Sequence, residues 1–156
     1  MKKMRFWPWG CLEALTLALA LLVGLLMSWR FSRVHILARL GHAESMSELG
    51  LAYVSISGRG LVAESNWKTA TYWFEKAGAA GDGGADFELY QMWRVQGDPA
   101  DIRRWLERGA RNGNPECAMT LAQCYWLGLY GYPKDQVLSD EWAKKSTAFE
   151  RRKYRK

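Results

Sequence analysis

Apolar residues are distributed in two different ways along the chain. Residues 11–29 read CLEALTLALALLVGLLMSW, an apolar run broken by a single acid, Glu13. About twenty apolar residues span a bilayer, so the run predicts a transmembrane helix over 11–29. Further on, three stretches align with one another without gaps: GHAESMSELGLAY from Gly41, GDGGADFELYQMW from Gly81 and GNPECAMTLAQCY from Gly113. After each glycine a small residue (Ser45, Ala85, Cys117), a leucine (Leu49, Leu89, Leu121) and an aromatic (Tyr53, Trp93, Tyr125) follow at the same intervals. Leucine and aromatic are one helical turn apart, share a face, and predict that this face is buried.

A second alignment has the same period. WFEKAGAAGD from Trp73 matches WLERGARNGN from Trp105 at a spacing of 32 residues, the distance also separating Gly81 from Gly113; Gly41 precedes Gly81 by 40. Each unit therefore reads as helix A, a loop, helix B and a Gly-Asp or Gly-Asn turn, in which the glycine supplies a left-handed cap and the next polar residue caps the following helix. A hairpin this short cannot cover both its leucine and its aromatic rows, so neighbouring units have to stack. Small residues such as Ala70, Ala77, Gly78, Gly109, Ala110 and Ala122 let the helix axes approach. The expected fold is all-α: one N-terminal transmembrane helix followed by an α/α-hairpin solenoid of about three repeats. Its parts are a basic and aromatic flank over 1–10, the span over 11–29, a juxtamembrane capping helix over 30–40, the repeats over 41–150 and a basic tail over 151–156.

The flanks bear on the span. Trp7, Trp9 and Trp29 bracket it where amphipathic rings favour the headgroup layer, and Pro8 suits the start of a helix. A cleaved leader would share the basic start of Lys2, Lys3 and Arg5, but Met27, Ser28, Trp29 and Arg30 stand where small residues should precede cleavage. Lys2, Lys3, Arg5 and the amino terminus outweigh Arg30, Arg33 and Arg39 by one charge. The positive-inside rule then puts the N-terminus inside and the repeats in the periplasm of a bacterium, anchored at the inner membrane; the reverse orientation leaves them cytoplasmic. The net charge of +6 sits mostly in these flanks and in Arg151, Arg152, Lys153, Arg155 and Lys156, so no basic groove for nucleic acid is indicated. Cys117 and Cys124 lie two turns apart on one expected helix, roughly 10 Å by the helical rise, too far for a disulfide, and read as buried small hydrophobes.

The repeat resembles the Sel-one-like repeat, a close relative of the tetratricopeptide repeat, from Gly41 to about Ser146. The resemblance rests on Leu49-Gly50-x-x-Tyr53, the glycine loop Gly58-x-Gly60-Leu61, Lys68-x-Ala70-x-x-Trp73-x-x-Lys76-Ala77, and the second loop from Tyr125-x-x-Gly128 to Tyr132-Pro133-Lys134-Asp135. It departs in a longer first loop, in Gly128 and Gly131 standing one residue too far apart, in a middle unit with only Gly97-Asp98-Pro99, and in Trp142-x-x-Lys145-Ser146 as a weaker third helix B. The resemblance implies a non-catalytic scaffold that binds a partner protein. It also implies that helix A lines the concave face, where Leu51, Val54, Phe87, Gln91, Arg94, Met119, Gln123 and Trp126 would point into the groove.

The remaining chemistry agrees with a binding protein. His35 and His42 have no nucleophile motif beside them, Glu75 and Glu107 read as helix-surface partners of nearby Lys or Arg, and Gly58-Arg59-Gly60 lacks the Lys-Ser or Lys-Thr of a phosphate loop. No catalytic residue, cofactor, metal or small-molecule substrate is expected. The expected partners are a protein in the groove and the lipid bilayer around 11–29. The function expected is an adaptor in bacterial envelope assembly, secretion or wall remodelling. The alternative is a structural subunit assembled through its membrane helix, where Ala14, Ala18 and Gly24 offer small surfaces.

Overall fold

The computed structural model describes residues 9–57, 64–153 and 155. The basic flank, Trp7, Pro8 and the loop glycines Gly58 and Gly60 lie outside them. Every regular element among the described residues is helical: α1 (Trp9–Arg39), α2 (Ala43–Ser57), α3 (Glu64–Ala79), α4 (Gly83–Trp93), α5 (Pro99–Arg111), α6 (Pro115–Leu127), a 3₁₀ turn (Leu129–Gly131) and α7 (Gln136–Lys153). Residues 11–29 and 30–40, read as two segments, form one unbroken helix, α1, up to Arg39, because no glycine or proline separates Leu25 from Leu40. The described side chains of α1 are those of 16–26, 28, 29 and 32–39. Among the described residues no helix is long and apolar enough to cross a membrane.

The three aligned glycines terminate helices in the same way. Gly41, Gly81 and Gly113 have φ of 92°, 100° and 81°, the left-handed region that a side chain would resist. The N–H of each donates back three residues (to Ala38, Gly78 and Ala110), and the N–H of the next residue donates back five, His42 to Leu37, Asp82 to Ala77 and Asn114 to Gly109, at 3.0–3.2 Å. This double bond pattern satisfies carbonyls that a helix end leaves orphaned. The residue after the glycine then opens the next helix: Asp82 accepts from the N–H groups of Gly84 and Ala85, and Asn114 from that of Cys117.

Successive helices are antiparallel neighbours. Gly78 near the end of α3 meets Asp86 at the start of α4, while Thr71, half-way back along α3, accepts the indole N–H of Trp93 at the end of α4. Asp86 in turn meets Arg108 at the end of α5, and Pro115 at the start of α6 accepts from Ser146 late in α7. Alternate helices also touch, α3 with α5 and α4 with α6, which makes the pairs a stack. The aligned small residues and leucines are its core: Ser45, Ala85 and Cys117, with Leu49, Leu89 and Leu121, are all buried. Helix B supplies an equivalent column, Val34 half-buried, then Phe74 and Leu106 fully buried, so the last turns of α1 cover α2 as a helix B would.

Cys117 and Cys124 are free and fully buried. Burial first, with the charges of Asp86 and Glu116 added, pushes the Cys117 thiol far up, and burial alone pushes Cys124 to about 11. A group whose folded pKa is raised contributes stability below its unfolded value and loses it as pH rises through the folded one. In a Cys11→Ser chain at pH 8, a thiol-specific chromophoric reagent is expected to report no thiol until denaturant is added and two afterwards. Stability should decline steadily from about pH 9, just above the free-thiol pKa, toward pH 11. A thiol that reacts within minutes in the native chain refutes the burial.

Candidate binding surface

The eight positions mapped onto a groove lie on α2, α4 and α6 or, for Arg94, at the C-terminal cap of α4. Within a helix they are three or four residues apart and so share a face. Between α4 and α6, which touch, they coincide at the repeat period: Phe87 with Met119, Gln91 with Gln123, Arg94 with Trp126. Val54 and Phe87 are half-buried and packed on the core, Phe87 with its ring centroid 5.9 Å from that of Tyr90. Met119 at 41% and Trp126 at 55% exposure stand clear of the core, as does Leu51 at 47%. Gln91, Arg94 and Gln123 are exposed around them. Leu127 and Leu129, not singled out from sequence, are also exposed, at and just past the end of α6. Only their position just past the third helix A could have marked them.

The Arg94 end is braced from behind. The Tyr130 hydroxyl donates to the Arg94 carbonyl at 3.1 Å, and the Tyr130 ring stands edge-on to Tyr90 at 6.3 Å. Burial first, then the neighbouring Tyr130, pushes the Tyr90 hydroxyl up to about 12, so Tyr90 stays a neutral phenol.

Between the repeats lies a polar network. Glu75 reads from sequence as a helix-surface partner of nearby Lys or Arg, and its charged partners are arginines, but not local ones. One carboxylate oxygen accepts the Trp105 indole N–H at 2.6 Å and an Arg104 N–H at 2.7 Å, and the other accepts from Arg108 at 2.8 Å. Glu75 on α3 thus clamps α5 of the next unit. Its repeat equivalent, Glu107, accepts the Tyr132 hydroxyl at 2.9 Å and ties α5 to the loop after α6. Burial raises the Glu75 pKa, but the bonds from Trp105 and Arg108 and the charges of Arg108 and Arg104 outweigh it and hold the carboxyl below its usual value. Arg108 also places two N–H groups, at 2.8 and 2.6 Å, on one oxygen of Asp86, whose side chain is 0% exposed. The other Asp86 oxygen has no partner among the described residues, and burial, reinforced by Glu75 and Asp82, raises this carboxyl despite Arg108. A half-satisfied buried carboxylate held by arginine is a structural lock between units. Among the described residues no group of three His, Cys, Asp or Glu could hold a metal ion.

The crystal structure of a Sel1 repeat protein from Oxalobacter formigenes matches with a TM-score of 0.63 and 28% identity, over 79% of this chain and 96% of that one. This chain is similar to a Sel1 repeat protein. No family model matches it, and no curated protein matches it. The Sel1-like loop after α6 can be followed in detail. Gly128 caps α6 in the left-handed region, Gly131 is also left-handed, and Asp135 returns its N–H to Tyr125 at 2.9 Å and caps α7 through Leu138. The extra residue between Gly128 and Gly131 coincides with the one left-handed non-glycine among the described residues, Tyr130 at φ 50°. It is the residue that reaches back to Arg94.

Proposed function

We propose that this protein is a non-catalytic scaffold, anchored in a bacterial inner membrane by α1, that binds a partner protein along the α2–α4–α6 face. The exposed pair Met119 and Trp126, on a helical-repeat stack similar to a Sel1 repeat protein, carries the reading. Aromatic and Met side chains beside an arginine are the composition of interface hot spots. The membrane part is supported by the apolar run 11–29 and by the exposure of Leu17, Leu19, Leu21, Leu22, Val23, Leu25 and Leu26, which leaves apolar side chains on every side of α1 over residues 17–26. A helix apolar all round needs an apolar surrounding. The repeats lie in the periplasm, and the process is envelope assembly, secretion or wall remodelling.

Trp126→Ala and Arg94→Ala are each expected to weaken partner capture by the full chain about tenfold or more, the scale of a hot-spot truncation. Both should leave unfolding within about 0.5 kcal/mol, as surface changes do. Capture unchanged in both variants rejects the face. A periplasm-dependent reporter fused after Lys156 is expected to be active, and a silent one reverses the orientation. A second reading, a subunit assembled through α1, is favoured by Gly24, whose missing Cβ would meet nothing within 4 Å and leaves a small surface open for another helix. Replacing 11–29 by an unrelated span separates the two: a scaffold tolerates the exchange and a subunit does not.

A further inference from the structure

Where α1 meets α2 the surface opens into a groove of about 600 Å³. One wall is apolar (Leu26, Trp29, Leu37), and the rest carries Arg33, the carboxylates of Glu44 and Glu48, and the polar side chains of His42 and Ser45. That volume lies within the range of small-molecule sites. Among the described residues, Arg33, Glu44 and Glu48 form no ion pair with one another or with any other group, although they line one groove. The Arg33 guanidinium instead lies 5.3 Å over the Trp29 ring. In the neighbouring repeats Arg108 pairs with Glu75 and Asp86 across α3, α4 and α5.

The position along α1 narrows the occupant. Trp29 ends the apolar run, and Arg33 follows one turn later, about 6 Å further along the axis. If 11–29 spans the bilayer, the groove sits at headgroup depth, with its apolar wall continuing the lipid-facing shaft. An anionic ligand alone would meet Arg33 favourably but face Glu44 and Glu48. A cationic one has the opposite problem. A ligand with phosphate and ammonium a few ångströms apart, and an acyl chain behind, matches all three walls.

We infer that the α1–α2 groove seats an amine-bearing zwitterionic phospholipid of the surrounding bilayer, with Arg33 on its phosphate and Glu44 and Glu48 on its ammonium. The inference rests on the membrane reading above, and the test separates the two. First, the full chain is mixed with vesicles of phosphatidylethanolamine and phosphatidylglycerol and floated on a gradient. A chain that stays at the bottom overturns the span and the lipid seat together. Second, the full chain in maltoside micelles is offered either lipid with identical acyl chains, and the lipid retained is counted by native mass spectrometry. One phosphatidylethanolamine is expected to be retained about tenfold more tightly than phosphatidylglycerol, the scale of one charge-assisted hydrogen bond. The double variant E44Q/E48Q should bring that ratio to about one, and Arg33→Ala should weaken both lipids. Parental helicity and an unchanged onset of thermal unfolding check that each variant is folded at the α1–α2 end, which protection of Cys117 and Cys124 on α6 would not report. A chain that floats but retains both lipids equally, keeps its preference in both variants, or fills the groove with a second copy as a lipid-free dimer overturns the seat and leaves the span standing.

Discussion

Arg108→Ala is expected to destabilise the repeat stack by about 3–5 kcal/mol at pH 8, the cost of stripping the partner from a buried charge, and to lower the unfolding midpoint by roughly 10–15 °C. The reason is Asp86. Its side chain has no exposure, one oxygen depends on two Arg108 N–H groups, and the other has no partner among the described residues. Without Arg108 the carboxylate must remain charged in an apolar setting or take up a proton. Burial already raises its pKa, and losing the guanidinium raises it further. A raised carboxyl contributes stability below its unfolded pKa and loses it as pH rises through the folded one, so the variant should lose more at pH 8 than at pH 5. Glu75 has the opposite sense: its lowered pKa contributes stability above about 4.5 that is lost on acidification, and Arg108→Ala weakens that part too. Adding Asp86→Ala should recover at least half the loss and flatten the pH dependence, since the equivalent position in the third unit is the buried Ala118. Thermal unfolding of the full chain at both pH values checks this. A single variant as stable as the parent, or a double variant no better than the single, rejects the lock.

That lock marks the boundary between what the sequence discloses and what it hides. Helix pairing, the period and the capping glycines were legible because each is local: a left-handed glycine, the two N–H groups around it and the following Asp or Asn are set within six residues of chain. The buried leucine column was legible for a similar reason, since one helical turn suffices to align Leu49 with Tyr53 or Leu121 with Tyr125. That the eight mapped helix A positions share one face on each helix followed from the shared leucine. That Phe87 packs on the core while Trp126 stands exposed did not, because both read as helix A surface positions until the units are stacked. Glu75 shows the same limit. Its partners Arg104, Trp105 and Arg108 lie 29–33 residues on, and a carboxylate at an outward-facing helix position reads as a surface group until the next unit is stacked against it. One signal was available. In the aligned units, Met46, Asp86 and Ala118 occupy one column, and an acid between two apolar residues marks a buried charge in need of a cation.

Phe74→Ala is expected to cost about 3–5 kcal/mol through lost burial and the cavity left behind, with the loss concentrated at the α1–α3 end. Phe74 is fully buried, and its ring lies so close to α2 that a Cβ on Gly50 would stand 2.6 Å away. Glycine at position 50 and phenylalanine at 74 therefore form a matched pair. Gly50→Ala alone overpacks the contact, at about 1–3 kcal/mol, while Phe74→Leu alone leaves it underfilled. The chain carrying both should be more stable than the two losses added predict, because the new methyl enters the vacated space. Each unit touches mainly its neighbours, so damage at α2 and α3 need not spread through the stack. In Phe74→Ala, helicity should fall in two steps on heating, with Cys117 and Cys124 still protected after the first. Full exposure of both thiols in that first step would show that the stack unfolds as one unit, whereas Trp126→Ala, which removes only exposed surface, should shift neither step.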